Sequence, residues 1–159
     1  MNNKFNKNSK NRGIAALPTM MILGMLTLII VIGITSVTFS ELFISQSSSQ
    51  SFRSLYYAET GARDALQKIS RNKNYSCTTT DCYSIDFATN GCSLVTGCAK
   101  VSVSAAAGDT ANPKIIISKG IMNSSVRTMQ VSVILDNGTN DPTLQYGLIT
   151  SVTWKELTD

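Results

Sequence analysis

Histidine is absent from all 159 residues, proline occurs three times and tryptophan once. Without histidine the chain lacks the commonest general base and the commonest metal ligand. There is no Gly-x-Ser-x-Gly elbow and no glycine-rich phosphate loop, and the acids are scattered without a visible pairing. The expectation is that the protein is not an enzyme and carries no cofactor. Charge is also missing where it matters most, because the 28 residues between Arg12 and Glu41 include none. The apolar run from Ile14 to Phe39 exceeds the ~20 residues that cross a bilayer as a helix, and it is too long for a cleavable secretory signal, whose apolar region spans roughly 7–15 residues.

Acids are equally absent ahead of that run, where Lys4, Lys7, Lys10 and Arg12 stand alone. The positive-inside rule then keeps the N-terminus cytoplasmic and places everything after the span outside. The formal charge of +4 comes from this leader, since ten basic residues balance ten acidic ones in the remainder. Basicity therefore orients the chain and gives no direct evidence for a nucleic-acid partner.

Four cysteines, Cys77, Cys82, Cys92 and Cys98, all follow the span, in a compartment where disulfides persist. Four cysteines allow three connectivities. Local pairing, Cys77 with Cys82 and Cys92 with Cys98, is the expectation, because each bond would staple a stretch with little apolar core of its own. A zinc site is the alternative, but the C-x₄-C and C-x₅-C spacings depart from the usual C-x₂₋₄-C pairs and no histidine can assist.

Along the chain, residues 1–13 form a polar basic leader and 14–40 a transmembrane segment. Pro18 sits where a helix tolerates a missing N–H, so the regular helix is expected from Leu17 or Pro18. Gly24 and Gly33 begin no GxxxG pair. The serine- and glutamine-rich stretch Ser45–Ser51 contains nothing that must break a running helix. Residues 41–71 continue it as an amphipathic half, with Leu55, Ala58, Ala62, Ala65, Leu66 and Ile69 on one stripe and Glu59, Arg63, Asp64, Gln67 and Lys68 opposite. From about Leu17 to Arg71 such a helix would measure about 80 Å, of which only ~30 Å can lie in hydrocarbon.

Residues 72–98 read as a disulfide-bearing connection and 99–159 as an antiparallel sheet of about four strands. These are marked by Val101 and Val103, by Ile115 and Ile117, by Met129, Val131, Val133 and Leu135, and by Leu148 to Trp154. Ala107-Gly108-Asp109, Gly120 to Ser125, and Asp136 to Pro142 are the turn signals. The expected class is α+β, with Leu55, Ala62, Leu66 and Ile69 packing the helix on the sheet face that carries Met129, Val131 and Val133. Three Asn-x-Ser/Thr triplets, at Asn74, Asn123 and Asn137, are chance matches in a chain this rich in those residues.

This plan resembles the type IV pilins and the related pseudopilins. Arg12-Gly13-Ile14-Ala15-Ala16-Leu17 looks like a prepilin peptidase site, and Tyr56-Tyr57-Ala58-Glu59-Thr60-Gly61-Ala62 is similar to a helix segment of minor pilins. The likeness in plan covers the whole chain, and the motif matches cover its first seventy or so residues. The resemblance implies cleavage after Gly13, N-methylation of Ile14, and assembly of apolar helices from many subunits into a filament core. Its implied partners are other pilin subunits, a prepilin peptidase, the assembly machinery and the membrane. The implied location is the cytoplasmic membrane for the precursor and the cell surface for the filament.

One departure matters. Most major pilins carry Glu at the fifth residue after the cut, and Pro18 stands there in this chain. Members lacking that Glu include tip-located minor pseudopilins, which tilts the expectation toward a minor subunit. Two other readings stay open: a single-pass anchored ectodomain that binds a ligand without polymerising, and a pseudopilin of a secretion or DNA-uptake system. The run from apolar to amphipathic helix without Pro or a flexible tether favours the filament plan over the simple anchor.

Overall fold

The computed structural model describes residues 16–136 and 145–158. Helix α1 covers Ala16–Arg71, and is followed by β1 (Tyr83–Asp86), a short α2 (Gly91–Leu94), β2 (Cys98–Val103), β3 (Lys114–Met122), β4 (Ser125–Leu135) and β5 (Ile149–Leu157). The five strands form one antiparallel meander in the order β1-β2-β3-β4-β5. The chain divides between Ser45 and Gln46 into two units, and α1 contributes to both.

The fold is thus α+β, with five strands where about four were expected. The additional strand, β1, lies inside the stretch read as a connection. Its four residues, Tyr83-Ser84-Ile85-Asp86, alternate apolar and polar but are too few for periodicity to announce them.

In the unit from Gln46 onward, α1 lies across one face of the sheet. Its buried residues there are Ser54, Ala58, Gly61, Ala62, Ala65 and Ile69. They meet Val101 and Val103 of β2, Ile116 of β3, and Val131, Val133 and Leu135 of β4, all buried. Most of the helix contribution is small, which lets the helix backbone come down onto the strands.

Gly120 shows how close the approach is. A Cβ on this residue would overlap the Ser54 carbonyl oxygen and sit 2.5 Å from the Ala58 nitrogen. Gly61 is the reciprocal position on the helix, where a Cβ would lie 2.5 Å from Ser118 Oγ and 2.9 Å from Ala99 Cβ.

This contact sets the register of β3 and corrects one sequence expectation, the turn signal that began at Gly120. Lys114, Ile116, Ser118 and Gly120 face the helix and are buried, whereas Ile115 and Ile117 alternate with them on the opposite face. Three consecutive isoleucines make β3 apolar on both sides, so alternation alone could not choose between registers one residue apart. The choice falls to Gly120, the residue small enough to pass under α1. Gly120 accordingly lies inside the strand rather than in the turn. The chain reverses at Asn123 and Ser124, where Asn123 adopts φ 52°.

The burial of Lys114 follows from the same register. Its residue is 2% exposed, and its amine donates to the Tyr75 carbonyl at 3.0 Å. Desolvation by burial lowers its pKa below the ordinary lysine value.

Candidate functional site

The two parts of α1 present different chemistry. From Leu17 to Ile44 every large apolar side chain is more than half exposed. No charged residue occurs among the described residues before Glu41. The threonine hydroxyls in this stretch return to their own helix: Thr27 Oγ1 donates to the Gly24 carbonyl at 2.9 Å, Thr35 to Val31 at 2.7 Å and Thr38 to Ile34 at 3.0 Å. Backbone and hydroxyl donors satisfied within the helix are what a hydrocarbon environment requires. Around Gly24 and Gly33 the space that a Cβ would enter is open. This helix is long and apolar enough to cross a membrane by length and composition.

Beyond Gln46 the helix is held by packing and by polar anchors on both flanks. Of the residues expected to pack on the sheet, Ala62 and Ile69 are fully buried. Leu66 is partly buried against the core cluster, and Leu55 is intermediate. On one flank Arg127 of β4 donates through Nε and one terminal nitrogen to Ser51 Oγ, at 2.9 and 2.6 Å, and through the other to Glu156 of β5 at 3.0 Å. Ser54 and Ser125 hydroxyls meet at 3.0 Å. Arg63 pairs with Glu59 at 2.6 Å and lies 5.5 Å from the centre of the Trp154 ring.

On the other flank Lys68 pairs with Asp64 at 2.9 Å and sits 3.4 Å above the Tyr83 ring of β1. Burial, and then the adjacent Asp64 carboxylate, raise the Tyr83 phenol above its ordinary pKa. Both effects favour the neutral phenol. Tyr57 stacks on Phe87 just beyond β1, ring centres 4.4 Å apart.

The cysteines form two disulfides, Cys77–Cys82 with Cα atoms 5.8 Å apart and Cys92–Cys98 with Cα atoms 4.7 Å apart. No thiolate is left for a Cys₄ metal site, and no cluster of three or more His, Cys, Asp or Glu able to hold a metal occurs among the described residues. The first disulfide closes a loop whose Cys77 also pairs through its backbone with Val103, so the chain leaving α1 is stitched to the end of β2. The second closes the loop carrying α2.

Gly13 and Ile14 lie outside the described residues. The contributions of Ser54, Gly61 and Lys114 escaped the sequence reading, which followed apolar side chains, alanines included, and passed over serine, glycine and lysine. The signal for the first two was the spacing of small residues at 54, 58, 61, 62 and 65. Compared with family models, curated proteins and solved structures, the chain matches none.

Proposed function

We propose that this chain is a subunit of an extracellular type IV pilus-like filament. In this reading it is exported with its N-terminus inside, processed after Gly13, N-methylated on Ile14 and polymerised through the apolar part of α1. Neighbouring subunits satisfy that surface as well as lipid does, so the helix passes from bilayer to filament core. Pro18, in place of the usual Glu, favours a minor or tip position. Its partners are other subunits, a prepilin peptidase and the assembly machinery.

One observation carries the reading. A single unbroken helix has an apolar part with all its large side chains exposed and a second part built into the core of a disulfide-stapled sheet. A detached anchor has no need to double as the spine of the domain it holds. Mass spectrometry of the mature protein should find Ile14 at the N-terminus, carrying a methyl group. A mature chain beginning at Met1, or beyond Phe39, would sink the proposal. The non-polymerising anchored ectodomain predicts that sheared surface filaments lack this chain; the filament reading predicts that they contain it.

A further inference from the structure

In the unit from Gln46 onward, exposed apolar side chains gather at the end where the sheet first meets α1. Ser51 accepts from Arg127, Ser54 shares a hydrogen bond with Ser125, and Gly120 passes beneath the Ser54 carbonyl. The β3–β4 hairpin therefore lies beside the first turns of helix in this unit. The loop carrying α2 is tied to the same hairpin, because the Val95 carbonyl accepts from the Asn123 nitrogen at 2.6 Å. At this end Phe52 is 70% exposed, Leu94 63%, Val126 49% and Val95 40%, and none of the four belongs to the core cluster. Val95 has φ of 60°, which a β-branched residue keeps only where its surroundings over-determine it. Here the Cys92–Cys98 disulfide closes the loop and Asp86 accepts from the Cys92 nitrogen at 2.6 Å. Leu94 and Val95 are thus held out on a loop with little freedom left to lose.

Charge is distributed to match. Neither the loop from Phe87 to Gly97 nor the hairpin from Gly120 to Val126 contains a charged residue, and along α1 only Arg53 is charged between Glu41 and Glu59. Two acids border the patch and both are engaged, Asp86 with the α2 loop and Glu156 with Arg127. At the opposite end, where the Gly108 carbonyl accepts from Leu135 and the Ser70 carbonyl from Gly147, the turns carry Asp109 and Asp136. One end is apolar with a single exposed cation beside it, and the other is acidic.

The covalent chain identifies what the apolar end meets. Six residues, Ser45 to Gln50, separate Ile44, the last large apolar side chain of the first part of α1, from Ser51. A bilayer crossed by that first part therefore lies on the side of Phe52, Leu94 and Val126. We propose that in the membrane-held protein Phe52, Leu94, Val95 and Val126 rest in the interfacial layer of the lipid on the exported side, with Arg53 against lipid phosphates. Four side chains would not draw a soluble protein to a membrane. Here α1 already confines the unit to the surface, so the second contact forms at high effective concentration. The acidic end is then kept away from the lipid. The proposal rests on α1 spanning a membrane and is independent of whether the chain polymerises.

The test uses the full chain in vesicles of phosphatidylethanolamine and phosphatidylglycerol whose acyl chains are brominated, since bromine quenches tryptophan on contact. Trp154→Phe removes the chain's single tryptophan, and Leu94→Trp, Val126→Trp or Leu28→Trp then supplies one reporter at a time. All three positions are exposed, and intact disulfides with an unchanged melt confirm folding at each. Relative to unbrominated vesicles, the reporters at 94, 126 and 28 should lose most of their emission. The native Trp154 of the unsubstituted chain, beside Arg63 and away from the patch, should keep its own. Leu94→Asp combined with Val95→Asp should relieve quenching at 126; quenching that persisted would overturn the role given to these side chains. Quenching at 28 but at neither 94 nor 126 overturns the lipid contact while the span stands. If the reporter at 28 also keeps its emission, the span falls and the contact with it.

Discussion

The two parts of α1 are made for opposite surroundings, although no break separates them. Between Ala16 and Ser45 the large side chains are apolar, apart from Glu41, and the apolar ones are exposed. Between Gln46 and Arg71 most of the buried residues are small, Ile69 excepted, and their value lies in what they leave out. A membrane or a bundle of like helices rewards apolar area anywhere on the cylinder. A sheet packed on one side rewards close approach along a narrow stripe. Substitutions should therefore fail differently in the two parts: by overpacking and cavity formation in the second and, on the proposed filament reading, by loss of assembly in the first.

The largest effect is expected at Gly120→Val. The added side chain would occupy the position of the Ser54 carbonyl, which is backbone and cannot rotate away. The loss should be about 3 kcal/mol or more, at the upper end of overpacking penalties, and a large part of the roughly 5–15 kcal/mol that holds a domain. Limited proteolysis and thermal melting of the full chain in detergent would measure it. A melt like that of the unsubstituted protein would show that α1 does not lie on the sheet at this point.

Ile69→Ala comes next, with an expected loss of ~2–5 kcal/mol, because Ile69 is completely buried against the core. The same truncation at Leu66 should be milder, about 1–2 kcal/mol, since Leu66 only borders that cluster. The difference sharpens the comparison: large residues on the second part of α1 matter in proportion to burial. Equal losses at the two positions would contradict the burial pattern.

Lys114 offers a smaller, pH-dependent effect. Its folded pKa lies below the ordinary 10.5, so between the two values the unfolded chain binds more protons than the folded one. Stability should therefore rise with pH across that window. Tyr83 acts in the other direction, because its raised pKa removes stability only above its ordinary value of 10.0. Melting temperatures measured below pH 10 should climb toward the alkaline end, and Lys114→Met should flatten the slope. An unchanged slope in Lys114→Met would assign the pH dependence to another group.

Much of this was legible in the chain itself. The long apolar helix, its amphipathic continuation and the α+β class follow from the uncharged run, the 3.6-residue stripe ending at Ile69 and the alternating valines of β2 and β4. The register of β3 did not follow, because Ile115-Ile116-Ile117 reads equally well in either direction. Only the need for Gly120 beneath Ser54 and Ala58 decides it, and that is a tertiary requirement. Lys114 illustrates the same limit: nothing local marks a lysine as buried until its strand has been placed. The short β1 was hidden between two cysteines that dominate the reading of their neighbourhood. As for the site, the exposed apolar helix was plain from composition, whereas the anchors from Arg127 to Ser51 and from Ser125 to Ser54 required β4 to be placed beside α1.

The smallest expected effect on folding belongs to Leu28→Ala. Leu28 is 60% exposed, and its part of α1 contributes nothing to the buried cluster around Ile69 and Val131. Removing its side chain should leave the melt of the sheet-bearing unit within about 0.5 kcal/mol, the usual range for substitutions away from a core. On the proposed filament reading its consequence should appear in assembly instead, as a lower share of this chain in sheared filaments, because each neighbouring helix would lose apolar contact. A set of such truncations along the first part of α1 would add small losses in assembly while the melt stayed fixed. Ile69→Ala would do the reverse, lowering the melt first and reducing assembly only through the loss of folded subunits. If Leu28→Ala moved the melt as far as Leu66→Ala, the two parts of the helix would not be independent in stability. The division of labour within α1 would then have to be abandoned.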